Sequence, residues 1–344
     1  MVAIQALVAL AASLAAAAAP GLTLRVEGPE SVTDVENFKI STVLTNTGNE
    51  TLRILNDPLG PLSKLPTETF SIVNSEGSAA RFGGVKAKYV PSTAAALGDY
   101  TSLAPGESVT VNHELSDAYN LTGSGVGTYN VMPRNLFYLV NEANQISTFR
   151  AHLSGAHKTY ITGRLAKVTP SPSLFKRARY ISCSASQQRA LAEAANSAQA
   201  SASEAKSYFD NDVATQRYTT WFGAADRARQ STVASHFTAI NGNNFTDFTY
   251  DCTCRVRDIY AYVRPGDFGR IYLCGAFWNT ANTGADSRAG TLIHEASHFT
   301  ANGGTGDFAY GQEDAMGLAS ENPDQAVMNA DSHEYFTENA PFLD

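Results

Sequence analysis

The sequence predicts two folded units in series: an all-β, sandwich-like first half and an α+β second half, mostly helical with a small sheet. Three observations carry this expectation. Short apolar runs with period two, broken by Gly, Pro and Asn, occupy roughly residues 21–168. Ala-rich stretches with helical spacing begin after residue 183. All four cysteines, Cys183, Cys252, Cys254 and Cys274, lie in that second half. A chain of 344 residues with 43% hydrophobic and 17% charged residues can bury two cores of ordinary size.

The first twenty residues, MVAIQALVALAASLAAAAAP, are apolar and end in small residues. They read as a secretory signal peptide, residues 1–19, which makes the chain an exported protein. No later stretch is long and apolar enough to span a bilayer, so no membrane partner is expected. The net charge of -8, without any basic run, disfavours nucleic acid. Sequons at Asn49, Asn120 and Asn244 permit glycosylation. In an exported chain four cysteines read as two disulfides, and three pairings are open.

Phe38, Ile40, Thr42 and Leu44 form the clearest alternating strand, and further runs lie at Leu52–Leu55, Phe70–Val73, Val109–Val111 and Tyr129–Val131. Thr169-Pro170-Ser171-Pro172-Ser173 reads as a linker, and Lys176-Arg177 just after it as a dibasic processing site. Residues 20–177 are therefore expected to be a propeptide and 178–344 the mature unit, which starts after Arg177 or Arg179. Beyond the boundary, helices are expected over Ser184–Phe209 and Ala225–Ile240, and strands near Phe245–Tyr250, Ile259–Val263 and Arg270–Cys274.

Arg288–Ala301 reads as a further helix, N-capped by Asp286 or Ser287 and ended by Gly303-Gly304. On it His294 and His298 are four residues apart, so both imidazoles leave one face and can bind a single Zn²⁺. Glu295 stands beside the first of them, placed as general base for zinc-activated water. A catalytic zinc takes a third protein ligand. Ala301 and Gly304 occupy the places where a metzincin would continue, and His333 is the one later histidine. A Glu from a later helix, Glu313 or Glu321, would be the thermolysin-like solution.

The helix leads into Gly304-Thr305-Gly306-Asp307-Phe308-Ala309-Tyr310-Gly311. Together with His294-Glu295-Ala296-Ser297-His298 this segment resembles the deuterolysin-type metallopeptidases, or aspzincins, whose signature is His-Glu-x-x-His followed by Gly-Thr-x-Asp-x-x-Tyr-Gly. The match is complete at every defined position. The resemblance implies a zincin-like catalytic domain with Asp307 as third ligand of one zinc and Tyr310 as a transition-state donor.

From Cys183 to the C-terminus the chain is similar to the secreted peptidyl-Lys metalloendopeptidase subgroup, which cuts on the amino side of lysine. That resemblance implies disulfides Cys183–Cys252 and Cys254–Cys274, and a lysine pocket lined by Asp331 and Glu334. These two acids are three apart on a helix expected to run from Asn322-Pro323 to about Glu338, so they share a face. Lysine usage agrees: residues 178–344 contain Lys206 alone beside ten arginines, whereas Lys39, Lys64, Lys86, Lys88, Lys158, Lys167 and Lys176 precede them. Expected partners are protein and peptide substrates with accessible lysine, and the propeptide itself. The alternative is a deuterolysin-like endopeptidase of broader specificity.

Overall fold

The structure, a computed structural model, describes residues 21–167, 179–210 and 214–344. The expected signal peptide and the Pro-rich stretch with Lys176-Arg177 lie outside the described residues. Among the described residues no helix is long and apolar enough to cross a membrane.

The first half is β-rich, as its alternation requires. In the strand Lys39–Asn46 the buried positions are Ile40, Thr42, Leu44 and Asn46, and the strand pairs antiparallel with Leu22–Glu27 and Ser108–Glu114. Two further four-stranded sheets and the short pair Arg81–Phe82 with Tyr119–Asn120 belong to this half, and apolar clusters around Phe38, Tyr129 and Val131, and around Leu24, Ile54 and Phe137, fill the space between sheets.

The second half is built on the helix Ala185–Tyr208, whose Ala194, Ala195, Ala198, Ala202 and Ala205 let neighbours approach closely. A capping box of Ser184 and Gln187 starts it. Against it pack Arg227–Asn241, Arg288–His298 and Ala330–Glu338 over an aromatic core that includes Trp221, Phe237, Phe277 and Phe336. The disulfides are Cys183–Cys252 and Cys254–Cys274, with Cα separations of 5.1 and 4.9 Å.

Three expectations change. Phe245–Asp247 is a 3-10 turn, and the strand begins only at Thr249. The helix Arg288–His298 stops three residues early, because Asn302 Nδ2 donates to the Ala296 carbonyl and Phe299 turns out of helical geometry. The helix from Pro323 breaks after Ala326 and restarts at Ala330. The break lets Asn329 reach across: its Oδ1 accepts from the amides of Phe308 and Ala309, while Gly306 N–H donates to the Met328 carbonyl.

The two halves share one sheet. Its order is Arg179–Ile181, Thr249–Asp251, Arg270–Leu273, Ile259–Val263 and, at the edge, Lys86–Tyr89 from the first half. Lys86–Tyr89, the inserted strand, pairs antiparallel with Ile259–Val263, Lys86 opposite Val263 and Lys88 opposite Ala261. A common apolar cluster joins Leu55, Ala94 and Tyr138 to Ile259, Cys274 and Tyr310.

Asp258 is buried at this seam, and burial, reinforced by Asp99 of the first half, pushes its carboxyl up to about 7. The folded chain thus keeps a proton that the unfolded chain gives up near pH 4, so stability falls as pH rises from about 4 to about 7. Asp258→Asn should remove this loss and gain on the order of 2 kcal/mol over wild type at pH 8, after solvent screening. Melting both proteins at pH 4 and pH 8 checks it; a wild-type-to-variant difference that does not change with pH contradicts the assignment.

Candidate metal centre and the strand lying in it

Ser287 caps the motif helix: its Oγ accepts from Gly290 N–H at 2.9 Å. From Ala289 to His298 the helix is buried, so both histidines are fixed by packing as well as by hydrogen bonds. At Gly290 a side chain would strike Glu338 Oε1, 2.0 Å from the added carbon, and this closeness brings the Ala330–Glu338 helix against the motif helix.

His298 Nδ1 donates to the Thr305 carbonyl at 3.0 Å, which leaves Nε2 as the bare acceptor. His294 Nδ1 lies 2.8 Å from Asp331 Oδ1, so its Nε2 is likewise free to face inward. The two Nε2 atoms are 3.1 Å apart, and Asp307 Oδ1 stands 3.3 Å from that of His294 and 3.2 Å from that of His298. Ligands bound to one zinc at about 2.0–2.1 Å in tetrahedral arrangement lie roughly 3.3 Å from each other. The donor set therefore fits the ion in type and spacing.

Its electrostatics agree. Burial alone would raise Asp307, but the His298 and His294 imidazoles hold it well below the usual carboxylate range, an anion facing the site. Burial pushes His298 down and keeps it neutral, the form that binds metal. Burial also opposes a charge on His294, and the carboxylates of Asp307, Asp331 and Glu334 outweigh it. Glu295, fully buried beside this set, is pushed up to about 8 by burial, with His294 opposing and Asp307 adding.

The inserted strand runs directly past these groups. Ala87 N–H donates to Asp307 Oδ2 at 3.3 Å, and the Tyr310 hydroxyl donates to the Ala87 carbonyl at 3.3 Å. Lys88 N–H donates to Glu295 Oε1 at 3.0 Å. Burial, then Asp307, raises Tyr310 well above the ordinary phenol range, so it remains a donor.

The Lys88 side chain is 0% exposed. Its Nζ lies 3.1 Å from Asp331 Oδ1, 2.8 Å from Glu334 Oε2 and 3.1 Å from Asp286 Oδ1, and it donates to the Tyr335 hydroxyl at 3.2 Å. Burial disfavours this ammonium, but Asp331 and Glu334 hold its pKa well above the usual lysine value. A buried cation needs such pairing, since several kcal/mol of hydration are lost.

The structure thus brings His294, Glu295, His298, Asp307, Tyr310, Asp331 and Glu334 into one site. Glu313 and Glu321, the alternative third ligands, are exposed. His333 is buried against His236, 3.1 Å away, and burial depresses it to about 3. Sequence reasoning misses Asp286, Tyr335 and Lys88 as members of the site, and offers Asp286 only as a cap. Its backbone instead turns through φ 51°, held by Glu338, which accepts from the amides of Asp286 and Ser287, so that Oδ1 meets the Tyr335 hydroxyl at 2.6 Å. A non-glycine residue at positive φ beside a helix cap marks such a place in the structure, and nothing in the local sequence announces it.

Residues 207–338 match the aspzincin M35 family model, described as lysine-specific metallo-endopeptidase. A peptidyl-Lys metalloendopeptidase of Grifola frondosa is 52% identical over 98% of this chain and 97% of its own. One from Pleurotus ostreatus is 54% identical over 167 residues, 48% of this chain and 99% of its own. Among solved structures, a zinc peptidase from Grifola frondosa is 55% identical, covers 47% of this chain and all of its own, and superposes with a TM-score of 0.47. With identity and coverage of this order over nearly its whole length, the chain belongs to the aspzincin M35 family and is a zinc metalloendopeptidase.

Proposed function

We propose that the chain is a secreted zymogen whose 178–344 unit cuts peptide bonds on the amino side of lysine, with residues 20–177 as its propeptide. One zinc is held by His294, His298 and Asp307. The observation that carries the lysine assignment is the fully buried Lys88 ammonium among Asp331, Glu334 and Asp286. A pocket of three carboxylates and a phenol, deep enough to bury the whole side chain, selects a long cation. The relative of 167 aligned residues has the length of 178–344 by itself, which supports that unit as an independent enzyme.

Zinc, when bound, supplies the Lewis acidity that makes water a nucleophile at neutral pH. Glu295 takes a proton from the attacking water, and its contact with Lys88 N–H marks where that proton goes: to the leaving amine. Tyr310 donates to the carbonyl oxygen as charge develops on it. The edge strand Ile259–Val263 aligns a substrate by adding it as a further antiparallel strand.

The test compares kcat/KM for peptides differing only in Ala-Lys, Ala-Arg or Ala-Met, with chelator and zinc add-back. Cleavage before lysine alone, lost with chelator and restored by zinc, is expected; equal rates on all three would refute the pocket. Asp286→Asn should raise KM for the lysyl peptide roughly five-fold, since a partly exposed ion pair contributes about 1 kcal/mol, with kcat little changed. An unchanged KM would remove Asp286 from the pocket.

A further inference from the structure

We infer that the Ala87–Lys88 bond of the first half is bound as a substrate and is the first bond the enzyme cuts in its own chain; this rests on the proposed lysine specificity. The inserted strand satisfies each requirement of a scissile segment at once. Its carbonyl oxygen on one side of the bond meets Tyr310, and its amide on the other side meets Glu295. The side chain just after the bond fills the anionic pocket, and the strand backbone is docked on the sheet edge. The second lysine of the strand is placed differently: Lys86 Nζ donates to the Thr305 carbonyl at 2.8 Å, away from Asp331 and Glu334. The lysines of the first half are therefore not equivalent, and among the described residues Lys88 alone stands in register.

The same contacts block the cleft to other peptides until the bond is cut. In the reaction water oxygen bonds to the Ala87 carbonyl carbon and the C–N bond to Lys88 breaks. One water proton passes through Glu295 to the Lys88 nitrogen, so the products are an Ala87 carboxylate and a Lys88 amine. The new carboxylate sits beside Asp307 and Glu295, where like charge disfavours its staying. The strand, cut in two, also loses the chain continuity that held it in the groove.

The full-length chain, purified metal-free in chelator, is given zinc and sampled with time by intact mass and N-terminal sequencing. Lys88 is expected as the first new N-terminus, appearing at a rate unchanged by a twenty-fold dilution. Glu295→Gln, isosteric in the buried site, should slow it about 10²–10⁴-fold. A first cut elsewhere with Ala87–Lys88 intact overturns the inference, as does a rate proportional to protein concentration. A peptide carrying Ala-Lys, added to the same sample once it is active, separates the failures. If that peptide is cut while Ala87–Lys88 survives, only self-cleavage falls; if an otherwise identical Ala-Met peptide is cut equally well, the lysine specificity falls.

Discussion

Glu295→Gln abolishes turnover while zinc stays bound, with kcat lower by about 10²–10⁴-fold or more. The carboxylate is not among the three donors that converge on the metal position, and it reaches the Lys88 amide instead. Gln keeps the shape and can still sit against that amide, but it cannot accept a proton from water. Metal content by mass spectrometry and kcat on a lysyl peptide are measured on the same preparation. Equal loss of zinc and activity would make Glu295 a structural support of the site rather than its base.

Asp331→Asn produces a double defect. Oδ1 of this residue is 2.8 Å from His294 Nδ1 and 3.1 Å from Lys88 Nζ, and Oδ2 accepts from Gly311 N–H at 2.6 Å. One carboxylate thus touches both the candidate metal ligand His294 and the Lys88 cation. Burial raises its pKa, but the Lys88 and His294 charges outweigh this and hold it below the usual value. Breaking one side of a buried ion pair costs about 3–5 kcal/mol, so kcat/KM on lysyl peptides should fall roughly 10²–10⁴-fold. Loss of the imidazole's support should weaken zinc about 10–100-fold. Glu334→Gln, whose Oε2 is nearer to Lys88 (2.8 Å) than to His294 (3.3 Å), should damage lysine selection more than zinc affinity. Chelator competition and peptide kinetics on both variants separate the two roles; undiminished zinc binding in Asp331→Asn would remove the bridge.

The candidate metal ligands were legible because a helix imposes its own geometry: His294 and His298 four apart must share a face, and Asp307 comes after them at a family spacing. Asp331 and Glu334 were legible for the same reason, although the helix carrying them starts later than Pro323 suggests. That break could not be read locally, since Asn329 leaves helical geometry to satisfy the amides of Phe308 and Ala309, a contact about twenty residues away in sequence. The inserted strand was hidden for a related reason. Lys86–Tyr89 is a four-residue run without long alternation, and its partner Ile259–Val263 lies some 170 residues further on. Nothing in local periodicity distinguishes a strand that completes its own sheet from one that completes its neighbour's. The surplus of lysine before residue 178 hinted at the relation, without saying which lysine enters the pocket.

The most direct test of the lysine pocket is mass spectrometry of an unrelated protein digested by the active enzyme, reading the residue that begins every new peptide. Lysine at essentially all of these positions, with arginine passed over, is the predicted result. New N-termini spread over several residue types, or shared equally between lysine and arginine, would contradict it.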